Sequence, residues 1–146
     1  MAYTNALSVY RETRIRTASQ GQLIIMLYDE AVKQLDSALE LMGLNASGKR
    51  EPGRIEHIGK AVGKTQDIIT ELMVSLDFEQ GGEIAKNLFA LYTWFNKELL
   101  EAQMIQDITR ITIVRNQINE LREAWGEAAL KSVEAGRPRE GVNIAG

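Results

Sequence analysis

The chain contains no cysteine, a single histidine (His57) and only two prolines, and each shortage closes off a class of function. Without cysteine there is no disulfide, no thiol nucleophile and no Cys-based zinc site. One histidine cannot supply the paired Glu-x-x-His motifs of a di-metal site in a helical bundle, and no serine, threonine or lysine has a histidine base at a recognised spacing. His57 follows Glu56 at the polar start of a helical segment and reads as an exposed side chain. "DFEQGGE" carries paired glycines but no lysine and no strand before it, which argues for a turn into a helix rather than a phosphate cradle. No catalytic apparatus, cofactor or metal is expected. The longest purely apolar run, Leu23 to Tyr28, is far shorter than the roughly 20 residues a membrane-spanning helix needs. Together with the lack of a signal-peptide core, this predicts a cytoplasmic protein without membrane insertion. A net charge of -3 speaks against a dedicated nucleic-acid surface, so Arg11, Arg14 and Arg16 read as solubilising.

What is present is helix. At 146 residues, 45% hydrophobic and 25% charged, the chain fits one soluble domain over 1–146. Pro52 and Pro138 both fall at boundaries, and between boundaries four segments place apolar residues three and four apart. The first is expected to start at a Ser19 cap, to carry Ile24, Leu27, Tyr28, Ala31, Leu35, Ala38, Leu39 and Met42, and to end at Gly43. The second starts near Pro52 with Ile55, Ile58, Val62, Ile69, Leu72, Met73 and Leu76 on one face, and Gly59 and Gly63 four apart. After "DFEQGG" a third carries Ile84, Leu88, Leu91, Tyr92, Phe95, Leu99 and Ala102. The fourth starts at an Asp107 cap and repeats Ile111, Val114, Ile118, Leu121, Trp125, Ala128 before Gly136. Short connections between helices of similar length favour an all-α, antiparallel up-down four-helix bundle over about residues 19–135. A polar N-terminal arm punctuated by Leu7, Val9, Tyr10 and Ile15 precedes it, and "RPREGVNIAG" has the composition of a disordered tail.

The helices carry more apolar surface than one seam each requires. Ile25 and Val32 lie about 80 to 100° round the first helix from Ile24, Ala61 and Ile68 flank the second stripe, and Ala85, Phe89 and Leu100 flank the third. Periodicity leaves three readings open: a broadened core, a self-associating bundle of structural or regulatory purpose, or a groove that receives an amphipathic partner helix.

Tyr10 followed by "TASQGQLIIMLYDEA" (17–31) resembles the N-terminal signature of the flagellin export chaperones of the FliS type, with Gln20 where the family usually has proline and Glu30 where it often has glycine. "LDFEQGGEIAKNLFALY" (76–92) and "LREAWGEAA" (121–129) resemble that family's later signatures, in the same order and over nearly the whole chain. The resemblance implies a cytoplasmic bundle that binds the C-terminal segment of flagellin, prevents its premature polymerisation and presents it for type III flagellar export. It leaves an export-gate component and other flagellar regulators open as further partners. On this reading the apolar flanks Ile25, Val32, Ala61, Ile68, Ala85, Phe89 and Leu100 form the flagellin groove. The resemblance also implies an arm that folds back over part of it, with Leu7 and Tyr10 as the plug.

Overall fold

The computed structural model describes residues 20–136 and forms four helices: α1 (Gln20–Ala46), α2 (Arg54–Val74), α3 (Phe78–Met104) and α4 (Ile108–Gly136). The Ser19 cap, the arm and the tail lie outside the described residues. Helix α1 does not stop at Gly43. It continues to Ala46 and is closed by Gly48, whose φ of 92° is left-handed and whose N–H donates to the Asn45 carbonyl at 3.2 Å. Helix α2 starts after Pro52, behind a left-handed Gly53 with φ 87°. The buried Arg54 ties this turn together. Its guanidinium donates to the Lys49 carbonyl and to Asn45 Oδ1, and pairs with Glu51 at 3.2 Å. Asp107 caps α4 as expected, its Oδ1 accepting the N–H of Arg110 at 3.1 Å.

The end of α3 is a Schellman motif built on an unusual residue. The Asp107 N–H reaches the Ala102 carbonyl at 2.8 Å, the Gln106 N–H reaches Gln103, and Gln106 itself takes the left-handed φ of 56° that normally selects glycine. The Gln106 side chain donates to the Gln103 carbonyl, but its buried Oε1 has no donor. Removing the side chain therefore loses one bond and relieves one unpaired acceptor, while glycine relaxes the backbone. Gln106→Gly is expected to stabilise the fold by about 1 kcal/mol, read as a higher urea midpoint at unchanged slope.

Cross-helix contacts fix the topology. Arg122 binds Asp29 at 2.6 Å and Arg115 binds Asp36 at 2.8 Å, so two turns up α1 correspond to two turns down α4. Gln66 donates to the Asn96 carbonyl at 3.2 Å, while a Cβ added at Gly59 would come within 3.1 Å of the Gln103 side chain, which sets α2 against α3 in the same antiparallel sense. Helix α1 packs on α2 and α4, and α3 packs on the same two, closing an up-down ring.

The interior is filled by Tyr28, Leu35, Ile58, Ile68, Ile69, Tyr92, Phe95, Leu99, Ile111 and Ile118, among others. Tyr28 and Tyr92 meet across the diagonal, hydroxyl to hydroxyl at 2.5 Å, so that two large rings are buried without stranding a polar group. The stripes read from sequence hold, with exceptions at the bundle ends. Ile55 in the first turn of α2, Ile84 just past a kink in α3 and Ala128 far along α4 are exposed.

Candidate functional site

At the end of the bundle where α1 begins, the chain leaves an apolar cleft of about 270 Å³ lined by Ile24 of α1, Leu72 and Leu76 of α2 and the loop after it, Ile84 and Leu88 of α3, and Trp125 of α4. The "DFEQGG" stretch builds its rim. Asp77 Oδ1 accepts the N–H groups of Glu79 and Gln80, each at 3.0 Å, and starts one turn of helix. Gly82 then breaks it with φ 50° and ψ -124°, a conformation open in practice only to glycine. A Cβ at Gly81 would lie 2.9 Å from that of Ala85, so the turn packs too tightly there for any side chain without a shift. The redirected turn brings Phe78 back edge-on to Phe89, ring centroids 5.9 Å apart.

Tyr92, bonded to Tyr28, also lines the cleft. Burial pushes both phenols above the usual tyrosine range, so at neutral pH both are uncharged. The only carboxylate in the lining, Asp77, is held by backbone N–H groups. Such a lining can take apolar side chains, and it offers no poised acid–base pair.

Beyond the cleft, α3 exposes further apolar side chains. Phe89 and Leu100 are 43% and 52% exposed and lie 20° apart on the helix, with Met104 further along the same side. Between the Gly59–Gln103 and Gln66–Asn96 contacts, Gly63 of α2 falls opposite the buried Leu99 in register, and a Cβ placed there would meet nothing within 4 Å.

The seven groove residues drawn from sequence are divided among different places. Ala61, Ile68 and Ala85 are buried, at 7%, 0% and 2% exposure; Ala61 and Ile68 belong to the interior, while Ala85 lines the floor of the cleft. Ile25 and Val32 are half-buried on α1, each four residues before an aspartate that binds an arginine of α4, so they lie along the α1–α4 seam. Only Phe89 and Leu100 face solvent. Ala61 and Ile68 are turned inward because each helix of a closed ring packs on two neighbours, so its buried arc is wider than one stripe. Leu7 and Tyr10 lie outside the described residues. Phe78, Ile84, Leu88 and Trp125 were missed as site residues. The signal available for them was the glycine pair, which marks where the third helix changes direction.

His57 is exposed, with its ring Nδ1 donating to the Gly53 carbonyl at 2.9 Å. Among the described residues no group of three or more histidines and carboxylates is placed to hold a metal ion, and no helix is long and apolar enough to cross a membrane.

The chain matches the family described as "Flagellar protein FliS" over residues 3–132. It is similar to the flagellar secretion chaperone FliS of Salmonella typhimurium (strain LT2), 34% identical over 122 residues that cover 83% of this chain and 84% of the relative. The flagellar secretion chaperone FliS of Escherichia coli (strain K12) is 33% identical over 121 residues, 82% of each chain. That of Bacillus subtilis (strain 168) is 26% identical over 128 residues, 88% of this chain and 89% of the relative. A match that runs from before α1 well into α4, with relatives aligned over most of their own length, establishes that this chain belongs to the FliS family of flagellar proteins.

Proposed function

We propose that this chain is a cytoplasmic export chaperone that binds the C-terminal segment of flagellin, keeps it from polymerising early and delivers it to the flagellar type III export apparatus. The observation that carries the reading is the apolar surface left exposed by the bundle, the cleft at Ile24, Ile84 and Trp125 together with the Phe78–Phe89 pair and, further along α3, Leu100. An amphipathic helix laid along α3 would bury its apolar face there. Ordering a segment that is unfolded when free lowers affinity per area, which suits a chaperone that has to release its cargo. Of the residues singled out in the sequence, Phe89 and Leu100 make direct contact on this reading. Ala85 lines the cleft, Ala61 and Ile68 support the surface from beneath, and Ile25 and Val32 shape the neighbouring seam.

The arm is a competitor in this scheme. Helix α1 begins at Gln20, one turn before Ile24 of the cleft, and on this reading Leu7 and Tyr10 of the preceding segment compete with flagellin for the same apolar space. Calorimetry with a flagellin C-terminal peptide tests both parts. Phe89→Glu is expected to weaken binding about tenfold or more with the helical content intact, since one large apolar contact is worth roughly 1.5–3 kcal/mol. Deleting Met1 to Ala18 is expected to tighten binding. Unchanged affinity in Phe89→Glu, or sedimentation showing that the chain alone self-associates through this face, would count against the chaperone reading.

A further inference from the structure

The hydroxyl pair beneath the cleft at Ile24 holds one proton more than it uses. Tyr28 and Tyr92 are 0% and 2% exposed, and each oxygen has the other as its partner at 2.5 Å. Two hydroxyls carry two protons, the bond between them takes one, and no other acceptor among the described residues bonds either group. Which proton is left over follows from burial. If Tyr92 donated, the Tyr28 proton would be shut in the closed interior without an acceptor, a costly arrangement. If Tyr28 donates, the spare proton belongs to Tyr92, which lines the cleft, whereas Tyr28 does not. The Trp125 indole, also in the lining, donates to Tyr28 as well, which favours the same order.

Helix direction sets the hydroxyls on the cleft side. Helices α1 and α3 both begin at the cleft end, and long helical side chains lean toward the N-terminus of their own helix. The tips of both phenols are therefore the parts nearest the cleft. Around Tyr92 the lining is apolar, with Leu72, Ile84, Ala85 and Leu88. Its other polar groups are engaged or at the rim: Ser75 Oγ donates to the Leu72 carbonyl at 2.8 Å, Asp77 accepts two backbone N–H groups, and Gln80 is exposed. A wholly apolar side chain pressed onto this floor would exclude water and leave the Tyr92 proton unpaired. A carboxylate is no better, because the lining holds no cation and already holds Asp77. A neutral carbonyl oxygen answers both demands.

We propose that the Tyr92 hydroxyl is a specificity-determining donor, which selects an occupant that sets a neutral carbonyl oxygen beside its apolar side chain. This rests on the cleft being the cargo surface proposed above. In the flagellin segment the oxygen is an amide carbonyl, from a side chain or from main chain at a helix end.

The test titrates the full chain, with labelled isoleucine methyl groups, by NMR against 4-methylpentan-2-one and 2,4-dimethylpent-1-ene, the same skeleton with a methylene in place of the oxygen. The ketone is expected to shift Ile24 and Ile84 saturably, and its bound carbonyl carbon to resonate downfield of its position in alkane solvent. Tyr92→Phe and Tyr28→Phe each remove the same buried bond, so a merely structural role would move both alike. Instead the ratio of ketone to alkene affinity is expected to fall about three- to tenfold in Tyr92→Phe and to stay within about twofold in Tyr28→Phe. An equal fall in both variants, an unchanged ratio in Tyr92→Phe, an alkane-like carbonyl shift, or no saturable shift at Ile24 and Ile84 would each overturn the proposal. A flagellin C-terminal peptide is titrated in parallel. If it leaves Ile24 and Ile84 unmoved while the ketone results hold, the flagellin reading fails and the donor stands.

Discussion

Ile68→Glu is expected to abolish cooperative folding, and not merely to weaken a surface contact. Ile68 is fully buried in α2, in a row with Ala61, Thr65 and Leu72, which are buried as well. The one polar group in that row, the Thr65 hydroxyl, is already committed to the Ala61 carbonyl at 3.0 Å. A carboxylate introduced there would have no cation to pair with, would lose the isoleucine's packing, and would have to take up a proton or drag water into the interior. The cost should exceed about 4 kcal/mol, a large share of the 5–15 kcal/mol that holds a domain of this size. Far-UV circular dichroism and urea titration read this directly. A variant that keeps a sharp urea transition would show that α2 can turn this row outward. Phe89→Glu is the matched control, since the same charge placed on the exposed face of α3 should leave the transition in place.

The second large effect is alkaline. Tyr28 and Tyr92 share one buried hydrogen bond, and burial is the leading cause that raises both phenols above their ordinary value of 10.0. Their folded-state ionisation lies higher than in the unfolded chain. The stabilisation is therefore complete below about pH 10 and is lost as pH rises beyond it, because the unfolded chain then releases protons that the folded chain retains. Each tyrosine can contribute a slope of up to about 1.4 kcal/mol per pH unit in that range. Urea midpoints between pH 8 and pH 11.5 should be level at first and then fall steeply. Tyr92→Phe should be less stable at pH 8, because Tyr28 loses its short bond, and shallower in its alkaline decline. An identical decline in the variant would assign the effect to other groups.

How far the sequence carried the fold can be seen in α4. Ile111, Val114 and Ile118 were spaced for a seam and are buried, and Asp107 was placed to cap and does. Capping and periodicity are local, and a local pattern survives wherever the helix is sent. The same logic misjudged the end of α1, where Gly43 looked like the stop and Gly48 is the residue with left-handed φ. A glycine ends a helix only if the backbone needs its conformation there, and Gly43 sits in ordinary helix with nothing within 4 Å of an added Cβ. Gly63 follows the same rule. It too sits in ordinary helix, and a Cβ placed there would meet nothing within 4 Å.

The candidate site was legible only as an excess. Periodicity counts apolar residues around one helix but does not say how many neighbours that helix has, so Ile68, buried, and Phe89, exposed, looked alike. By itself the sequence determined that the chain is all-α, that it has no cysteine for thiol chemistry, and where most of its helices start. Only the tertiary structure decided which apolar flanks are interior and that Phe78 folds back onto Phe89 through the Gly82 kink. The physical reason is range: caps and stripes depend on residues within a turn or two, whereas exposure depends on which distant helices close around them.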